Sequence, residues 1–175
     1  MFNLRMIQKY LLFAFVAQMF IYQEIRSQGN PGDFPHVKKE ITLQLLPGPD
    51  NRRNSEGDFV ALKDGTILHI YTHFTGNTGN EHEGASLASR YSTDGGRNWS
   101  PGDKIVVQNE GQQNVMSVSL LWLQGGAIAL FYLRKNSDDD CIPMMRVSYD
   151  EAKTWSDPAV CIQDRKGYFV LNNDR

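Results

Sequence analysis

The chain has 175 residues, of which 41% are hydrophobic and 11% aromatic, and its 18 basic and 20 acidic side chains leave a formal net charge of −2. This near-balance excludes a strongly basic nucleic-acid-binding protein and provides no polybasic patch for a membrane surface. The apolar content is sufficient for a packed core.

The first 27 residues differ in character from everything that follows them. Arg5 and Lys9 precede an apolar stretch over residues 11–22, and the chain becomes polar again before Ser27. A basic start, a short apolar run and a small residue are typical of a secretory signal peptide. The apolar run of about 12 residues is shorter than the roughly 20 that span a bilayer. We therefore expect an exported protein, secreted or periplasmic, without stable membrane insertion after cleavage; the alternative is an uncleaved anchor.

A lead-in over residues 28–53 precedes two similar hairpins. Residues 58–71 have apolar runs on both sides of an Asp64-Gly65 turn, and residues 119–132 repeat the pattern around Gly126. Asp-Gly favours a tight hairpin turn, and near-continuous apolar strands indicate sheets that are covered on both faces. Helical periodicity is missing from the mature chain, so the sequence predicts an all-β fold.

Each hairpin is followed by a turn that ends in tryptophan. Residues 92–99 read Ser-Thr-Asp-Gly-Gly-Arg-Asn-Trp, and residues 148–155 read Ser-Tyr-Asp-Glu-Ala-Lys-Thr-Trp. The Ser and Asp side chains of such a turn accept backbone hydrogen bonds, and the Trp folds back as an apolar plug. The second copy carries Ala152 in place of the glycine, and alanine tolerates a positive φ poorly. A Trp-bearing repeat of this length predicts the four-stranded blades of a β-propeller.

The pattern Ser-x-Asp-x-Gly-x-x-Trp is the Asp-box, or bacterial neuraminidase repeat, and through it the chain resembles the sialidase (neuraminidase) superfamily of six-bladed β-propellers. The resemblance implies a partial propeller over residues 54–175, with blade one at about 55–107, blade two at about 114–162 and the start of blade three at 167–175. Because propellers have about four to eight blades, we expect a larger protein of which this is the front third. We expect the isolated chain to be poorly soluble or inactive.

The resemblance separates the repeated residues from the catalytic ones. In sialidases the Asp-boxes lie on outer turns, away from the central axis. The residues that we therefore expect to be structural are Ser92, Asp94, Gly96, Trp99, Ser148, Asp150 and Trp155.

In sialidases three Arg side chains hold the substrate carboxylate, a Tyr activated by a Glu is the nucleophile, and an Asp is the acid and base. The first of these arginines precedes the Asp-Gly turn at a position where this chain has Ser55. Arg53, just upstream, is a substrate-binding candidate. Glu56 places a carboxylate near the axis, as an acid/base or hydroxyl-binding residue, or as an ion-pair partner of Arg52 or Arg53.

The catalytic Asp of sialidases lies in the loop between the second and third strands of blade one. In this chain the loop between Phe74 and Leu87 contains Glu81, His82 and Glu83, which are the catalytic candidates. A carboxylate there can act as a general acid if burial or a neighbour raises its pKa. A Gly-rich loop of this length can equally be a solvated excursion.

Further substrate-binding candidates come from blades two and three. The corresponding loop of blade two, residues 131–140, contains Arg134, which can hold a carboxylate or pair with the acidic run at 138–140. The polar residues that open the first strands of blades two and three are Asn114, Asn173, Asp174 and Arg175.

The sequence predicts no cofactor and no metal. The four His residues lack ligand spacing and there is no Cys-x-x-Cys pair. His69 falls inside a predicted strand, where a satisfied core residue is expected. Cys141 and Cys161 either form a disulfide, which an exported protein permits, or remain two buried thiols.

These observations favour an exported sialidase-like glycoside hydrolase, exo-acting on sialic-acid-type or other acidic glycans, with a glycan or glycoconjugate as partner and no nucleic acid. Two alternatives stay open. One is a polysaccharide lyase of the same fold, in which His82 or Glu56 removes a proton beside a uronate carboxylate. The other is a glycan-binding propeller without catalytic activity.

Overall fold

Two four-stranded sheets follow each other along the chain in the computed structural model, which describes residues 40–172. Strand order is sequential in both sheets, and neighbouring strands are antiparallel. Sheet one consists of β1 (Arg53–Ala61), β2 (Ile67–Phe74), β3 (Ala85–Ser92) and β4 (Lys104–Val107), and sheet two of β5 (Asn114–Trp122), β6 (Ile128–Ser137), β7 (Asp140–Ser148) and β8 (Ala159–Val160).

No helix occurs within residues 40–172, so the predicted all-β class is confirmed for this part of the chain, and the arrangement is consistent with part of a propeller-like fold. A membrane-spanning helix is likewise not found in that range. Residues from Ile41 onward form one compact unit. The predicted signal peptide and the lead-in before residue 40 lie outside the described residues.

The two hairpin turns have the same construction. In sheet one the Leu62 N–H donates to the Thr66 carbonyl at 2.8 Å, and Gly65 adopts a φ of +85°. In sheet two the Leu123 N–H donates to the Ala127 carbonyl at 2.8 Å, and Gly126 has a φ of +77°. Glycine is needed at these positions because a side chain clashes with the backbone at such angles.

The two Ser-Asp-Trp turns, residues 92–99 and 148–155, are stapled by their own side chains. In the first, Ser92 Oγ accepts the Gly96 N–H at 2.9 Å and Asp94 Oδ1 accepts the Asn98 N–H at 2.8 Å. In the second, the Ala152 N–H donates to Ser148 Oγ at 2.8 Å and the Thr154 N–H to Asp150 Oδ1 at 2.9 Å. These bonds satisfy backbone groups that the turn removes from the strand ladder.

The second turn keeps the backbone shape of the first although it has no glycine. Gly95 and Gly96 have φ values of 73° and 85°, and Glu151 and Ala152 have φ values of 58° and 63°. Ala152 is 4% exposed and belongs to the core between the sheets. The side-chain bonds therefore hold two non-glycine residues in a left-handed conformation that is unfavourable by about 1 kcal/mol or more each.

The main core lies between the two sheets. Leu68, Ile70 and Leu87 of sheet one form one cluster with Leu120 and Leu130 of sheet two, and none of the five is more than 1% exposed. Strand β5 is the part of sheet two that contacts β1, β2 and β3. Burial of each such side chain is worth about 1.5–3 kcal/mol, so this apolar layer is the principal force joining the sheets.

Polar contacts fix the register of one sheet on the other. Asp58 Oδ2 accepts the buried Leu120 N–H at 2.7 Å, and the Trp122 indole N–H donates to the Ala61 carbonyl at 2.9 Å. A buried N–H group without a hydrogen-bond partner costs free energy. The bond to the Asp58 carboxylate therefore stabilises the packing of β5 against sheet one.

Each sheet also contains a tyrosine that is held by a carboxylate and an arginine. The two clusters are Tyr71, Asp103 and Arg90 in sheet one, and Tyr132, Glu110 and Arg146 in sheet two. Burial raises the pKa of both tyrosines, so their hydroxyls stay protonated and donate. Asp103 precedes β4 of its own sheet, whereas Glu110 lies on the connection between the sheets.

The segment predicted to open a third blade runs beside β7. The Cys141 N–H donates to the Gly167 carbonyl and the Phe169 N–H to the Cys141 carbonyl, both at 2.9 Å, and Tyr168 forms an isolated parallel bridge.

The two cysteines, Cys141 and Cys161, are free thiols, and Cys161 is exposed rather than buried. Burial raises the pKa of Cys141 to about 11, so its thiol is unreactive.

Candidate functional site

Polar side chains gather at one end of the two sheets. Arg53 at the start of β1 pairs with Phe74 at the end of β2, and Asn114 at the start of β5 pairs with Lys135 near the end of β6. The Ser-Asp-Trp turns follow β3 and β7 at the opposite end. We call the first end the polar end; it comprises the starts of β1 and β5, the ends of β2 and β6, the loop 75–84 and the turn 138–139.

The loop 75–84 of sheet one is tied to sheet two. Asn114 Nδ2 donates to the Glu81 carbonyl at 2.7 Å and to the Glu83 carbonyl at 2.9 Å, and the Asn114 side chain is fully buried. The loop, which the sequence allowed either to contain a catalytic residue or to be a solvated excursion, is thus anchored to sheet two, while the side chains of Glu81 and His82 remain about half exposed. The loop places its three candidate residues across the boundary between the sheets.

Glu83 orders the loop from within. Its Oε2 accepts the Thr78 N–H at 2.9 Å and the Gly79 N–H at 3.0 Å, and these bonds, that from Thr78 above all, lower the pKa of Glu83. A Cβ on Gly76 would lie 2.2 Å from the same oxygen, so the glycine makes room for the carboxylate. An ionised carboxylate that is already bonded is a poor proton donor, whereas Glu81 is half exposed and lies 3.7 Å from His82 Nε2.

A buried lysine meets this loop from sheet two. The side chain of Lys135 is 0% exposed, and its Nζ lies 2.9 Å from His82 Nδ1 and 3.3 Å from Asp138 Oδ1. The ring of Tyr168 lies beside it, with its centroid 5.0 Å from Nζ. An ammonium group can only donate, so Nδ1 accepts, and the hydrogen-bond network assigns the imidazole proton to Nε2.

Glu56 and Ser117 lie at matching irregularities in β1 and β5. The register shifts between Ser55 and Gly57 in β1 and between Met116 and Ser119 in β5, and the φ values of Glu56 and Ser117 are 31° and 58°. Bulges of this kind re-aim a side chain and are common beside active sites.

The two bulges contact each other directly. Ser117 Oγ donates to Glu56 Oε2 at 2.6 Å, while the Thr72 hydroxyl donates to the Glu56 carbonyl at 3.3 Å and accepts the Ser117 N–H at 3.1 Å. Glu56 is exposed, and within residues 40–172 no ion pair joins it to Arg52 or Arg53. The carboxylate is thus oriented by a hydroxyl of the neighbouring sheet.

The two described arginine candidates differ in their partners. Arg53 stacks on Phe74, 4.4 Å from the ring centroid, and donates to the Gly79 carbonyl at 3.3 Å and to Ser55 Oγ at 3.4 Å. The Nε of Arg134 is buried and has no hydrogen-bond partner in the described part of the chain. Arg134 lines an open cleft of about 640 Å³ together with Asn136, Gln163 and Lys166.

The loop predicted over residues 131–140 is mostly strand. β6 continues to Ser137 and β7 begins at Asp140, so only a tight turn separates them. The prediction failed because polar side chains on a strand that leaves the core look like loop residues in sequence. Arg134 is accordingly an internal strand residue, and Asp140 pairs with Lys166 at 3.1 Å rather than with Arg134.

His69 is buried as expected, but it is not satisfied. It stacks on Phe59 with the ring centroids 4.1 Å apart, and among residues 40–172 its Nδ1 has no hydrogen-bond partner. Burial lowers the pKa of His69 to about 4, against a smaller opposing effect of the Asp58 charge. A neutral histidine in an apolar stack is a packing residue and not a ligand.

Three substrate-binding candidates, Asn173, Asp174 and Arg175, lie outside the described residues. Across residues 40–172, no three side chains of His, Cys, Asp or Glu converge in a way that can hold a metal ion. The polar end therefore offers carboxylates, an imidazole and cations as its chemical groups.

The fold of this chain is found in solved structures at low sequence identity. A protein of unknown function from Dyadobacter fermentans matches with a TM-score of 0.59 and 18% identity over 72% of this chain and 41% of that one. The Hadza microbial sialidase Hz136 matches with a TM-score of 0.52 and 17% identity over 63% of this chain and 26% of that one. The chain thus spans less than half the length of either structure, and the likeness concerns the fold alone.

A weaker similarity, with a TM-score of 0.42 and 17% identity, relates 63% of the chain to 32% of the α-L-arabinofuranosidase Arb93A from Fusarium graminearum; it is too low to bear on the fold. No family model matches the chain. No curated protein matches it either.

Sequence reasoning missed two residues of the polar end, Ser117 and Lys135. Both had a signal. The alignment of residues 58–71 with 119–132, extended two residues toward the N-terminus, places Glu56 on Ser117. Lys135 directly follows Arg134 at the end of an apolar strand, where a buried lysine indicates a specific partner.

Proposed function

We propose that this chain forms part of an exported sialidase-like glycoside hydrolase that acts from the ends of sialic-acid-type or other acidic glycans. The observation that carries the proposal is the contact between two propeller-like sheets in which the Ser117 hydroxyl orients the exposed carboxylate of Glu56. A separate contact between the same sheets joins His82, beside Glu81, to Lys135. Most glycosidases use two carboxyl groups with distinct environments, and a cation is the natural partner for the carboxylate of an acidic sugar.

The residues divide by their contacts. Glu56 is the acid/base candidate, because it is exposed and its direction is fixed by Ser117. Glu81, which is half exposed beside His82, is the second carboxylate. Arg134, which lines a cleft and whose Nε has no hydrogen-bond partner within residues 40–172, is one candidate to hold a substrate carboxylate, and Glu83 orders the loop. Arg53, Asn173, Asp174 and Arg175 remain substrate-binding candidates.

An assay of the full-length protein with three substrates tests the proposal. A fluorogenic sialoside and a fluorogenic glucuronide report hydrolysis, and a uronate polymer reports elimination through an unsaturated product that absorbs in the ultraviolet. We expect hydrolysis of an acidic glycoside. An unsaturated product would indicate the lyase, and binding without any product would indicate the glycan-binding propeller.

Export is tested separately. The protein recovered from the periplasm or medium of the producing cell is expected to begin after Ser27, as read by N-terminal sequencing. Recovery of the uncleaved chain in the membrane fraction would instead identify an anchor.

A further inference from the structure

One of the groups around the Lys135 ammonium, the carboxylate of Asp138, is largely exposed to solvent. His82 and the Tyr168 ring cover Nζ as parts of the loop 75–84 and of the segment beside β7. The third group, the carboxylate of Asp138, lies on the two-residue turn between β6 and β7 and is 72% exposed. It approaches Nζ at 3.3 Å, which is longer than the 2.7–2.9 Å typical of a close charge-assisted hydrogen bond.

We propose that Lys135, with His82 above it, is a carboxylate-binding position that Asp138 occupies in the free protein and that a carboxylate-bearing sugar takes over on binding. Asp138 is in this sense a built-in competitor of the ligand. The choice of a sugar acid as ligand rests on the proposed function; the competition itself rests only on the contacts of Lys135.

The electrostatics favour an exchange over simple addition. A fully buried ammonium group must keep an anion close, because burial removes its hydration. A ligand carboxylate that replaces Asp138 leaves the charge around Lys135 unchanged, so no additional charge is buried. The carboxylate of Glu81, on the far side of the imidazole at 3.7 Å from Nε2, keeps the ring oriented in either state.

The contact between Lys135 and His82 is compatible with both states. Nδ1 accepts a hydrogen bond from Nζ, which leaves the other Nζ protons for the anion. Asp138 Oδ1 lies 3.3 Å from Nδ1 as well, so the carboxylate lies beside both the ammonium group and the imidazole ring. The ligand carboxylate can accept a hydrogen bond from Nζ with one oxygen, while its other oxygen faces solvent.

The turn itself supplies a matched pair of variants for the test. Asp138→Ala and Asp139→Ala change the net charge by the same amount at adjacent exposed positions, but only Asp138 contacts Lys135. The Asp139 backbone N–H donates a hydrogen bond to Ser137 Oγ, and this bond is retained when the side chain is replaced. Binding of N-acetylneuraminate, glucuronate and neutral N-acetylglucosamine to the full chain is measured by isothermal titration or NMR at fixed ionic strength.

We expect Asp138→Ala to tighten binding of the two sugar acids about two- to fivefold, the range that an exposed ion pair supports. Asp139→Ala should leave their affinities unchanged, and neither variant should alter the neutral sugar. Lys135→Met added to Asp138→Ala should remove the gain, with thermal unfolding measured alongside to show that the double variant is folded.

Three results would overturn the proposal: weaker binding by Asp138→Ala, an equal gain in Asp139→Ala, or no binding of either sugar acid to Asp138→Ala. The outcome is separable from the proposed hydrolase activity. A gain in affinity without turnover would support the carboxylate-binding position and contradict the proposed hydrolase. Turnover with equal affinities in the two variants would support the hydrolase and contradict the carboxylate-binding position.

Discussion

The Glu56 carboxylate accepts a hydrogen bond from the Ser117 hydroxyl at 2.6 Å, and the two residues occupy equivalent bulges in successive sheets. One copy of the repeat has a carboxylate at the bulge and the other has the hydroxyl that orients it. The same backbone irregularity thus serves two different chemical roles.

Removal of the Glu56 charge should abolish most of the activity. Glu56→Gln preserves the shape but not the acid/base function, and we expect kcat/KM for an acidic glycoside to fall about 10²- to 10⁴-fold. Ser117→Ala removes only the orienting bond, so a smaller fall of about tenfold is expected. Steady-state kinetics on both variants check this, and an equal effect of the two would mean that Glu56 acts only as a structural acceptor.

Arg134 should matter for binding and little for stability. Its Nε has no hydrogen-bond partner in the described part of the chain, so Arg134→Ala loses no hydrogen bond at that atom. We expect KM for an acidic glycoside to rise about ten- to hundredfold with little change in Tm, since a charge-assisted contact to a carboxylate is worth about 1.5–3 kcal/mol. Arg97→Ala, on the exposed turn at the opposite end, is the control and should change neither quantity.

His69 should make the fold sensitive to mild acid. Its folded pKa of about 4 lies below the ordinary value of 6.5, so the unfolded chain takes up a proton first as the pH falls. The contribution of neutral His69 to stability is therefore fully present above pH 6.5 and decreases between pH 6.5 and 4. At pH 5 the free energy of unfolding is lower by about 2 kcal/mol. His69→Leu, which copies the buried Leu130 of sheet two, should remove this loss in urea unfolding at pH 7.5 and 5. The same loss in the variant would contradict the assignment.

The Ser-Asp-Trp turns should lose stability at a lower pH than the range in which His69 acts. Bonds from Asn98 lower the pKa of Asp94 to about 2, and bonds from Thr154 do the same for Asp150. A lowered carboxyl pKa contributes stability above the unfolded value of 3.8 that disappears as the pH falls to 2. Asp94→Asn and Asp150→Asn should each lower Tm at neutral pH and flatten its decline between pH 4 and 2.

Asp139→Asn is the control for these variants, because the Asp139 carboxylate accepts no hydrogen bond within residues 40–172. Its Tm should follow that of the unsubstituted chain across the whole range. A decline in the two turn variants as steep as in the control would show that the carboxylates do not staple the turns.

The hairpins were predictable from local sequence, because Asp64-Gly65 and the apolar runs beside it act within one hairpin. The polar end was predictable only in part. Glu56 and His82 drew attention as chemistry-bearing residues, but their partners Ser117 and Lys135 come from the other sheet. A contact between sheets depends on bulges and register, which no local pattern encodes.

Ala152 shows a second limit of sequence reasoning. The missing glycine suggests a different turn, yet the φ values of Glu151 and Ala152 reproduce those of the first copy. The bonds from Ser148 and Asp150, and the burial of the Ala152 methyl group, outweigh the local preference. Tertiary contacts here override a rule that holds for isolated turns.

The place of Glu110 has a consequence for the autonomy of the two repeats. The carboxylate that holds Tyr132 and Arg146 is supplied by the connection between the sheets and not by sheet two itself. A second repeat cut out at the start of β5 would carry an arginine and a tyrosine hydroxyl without their acceptor. The duplicated units are consequently no longer interchangeable modules, and a shuffled or permuted chain must transfer the linker together with the repeat that it completes.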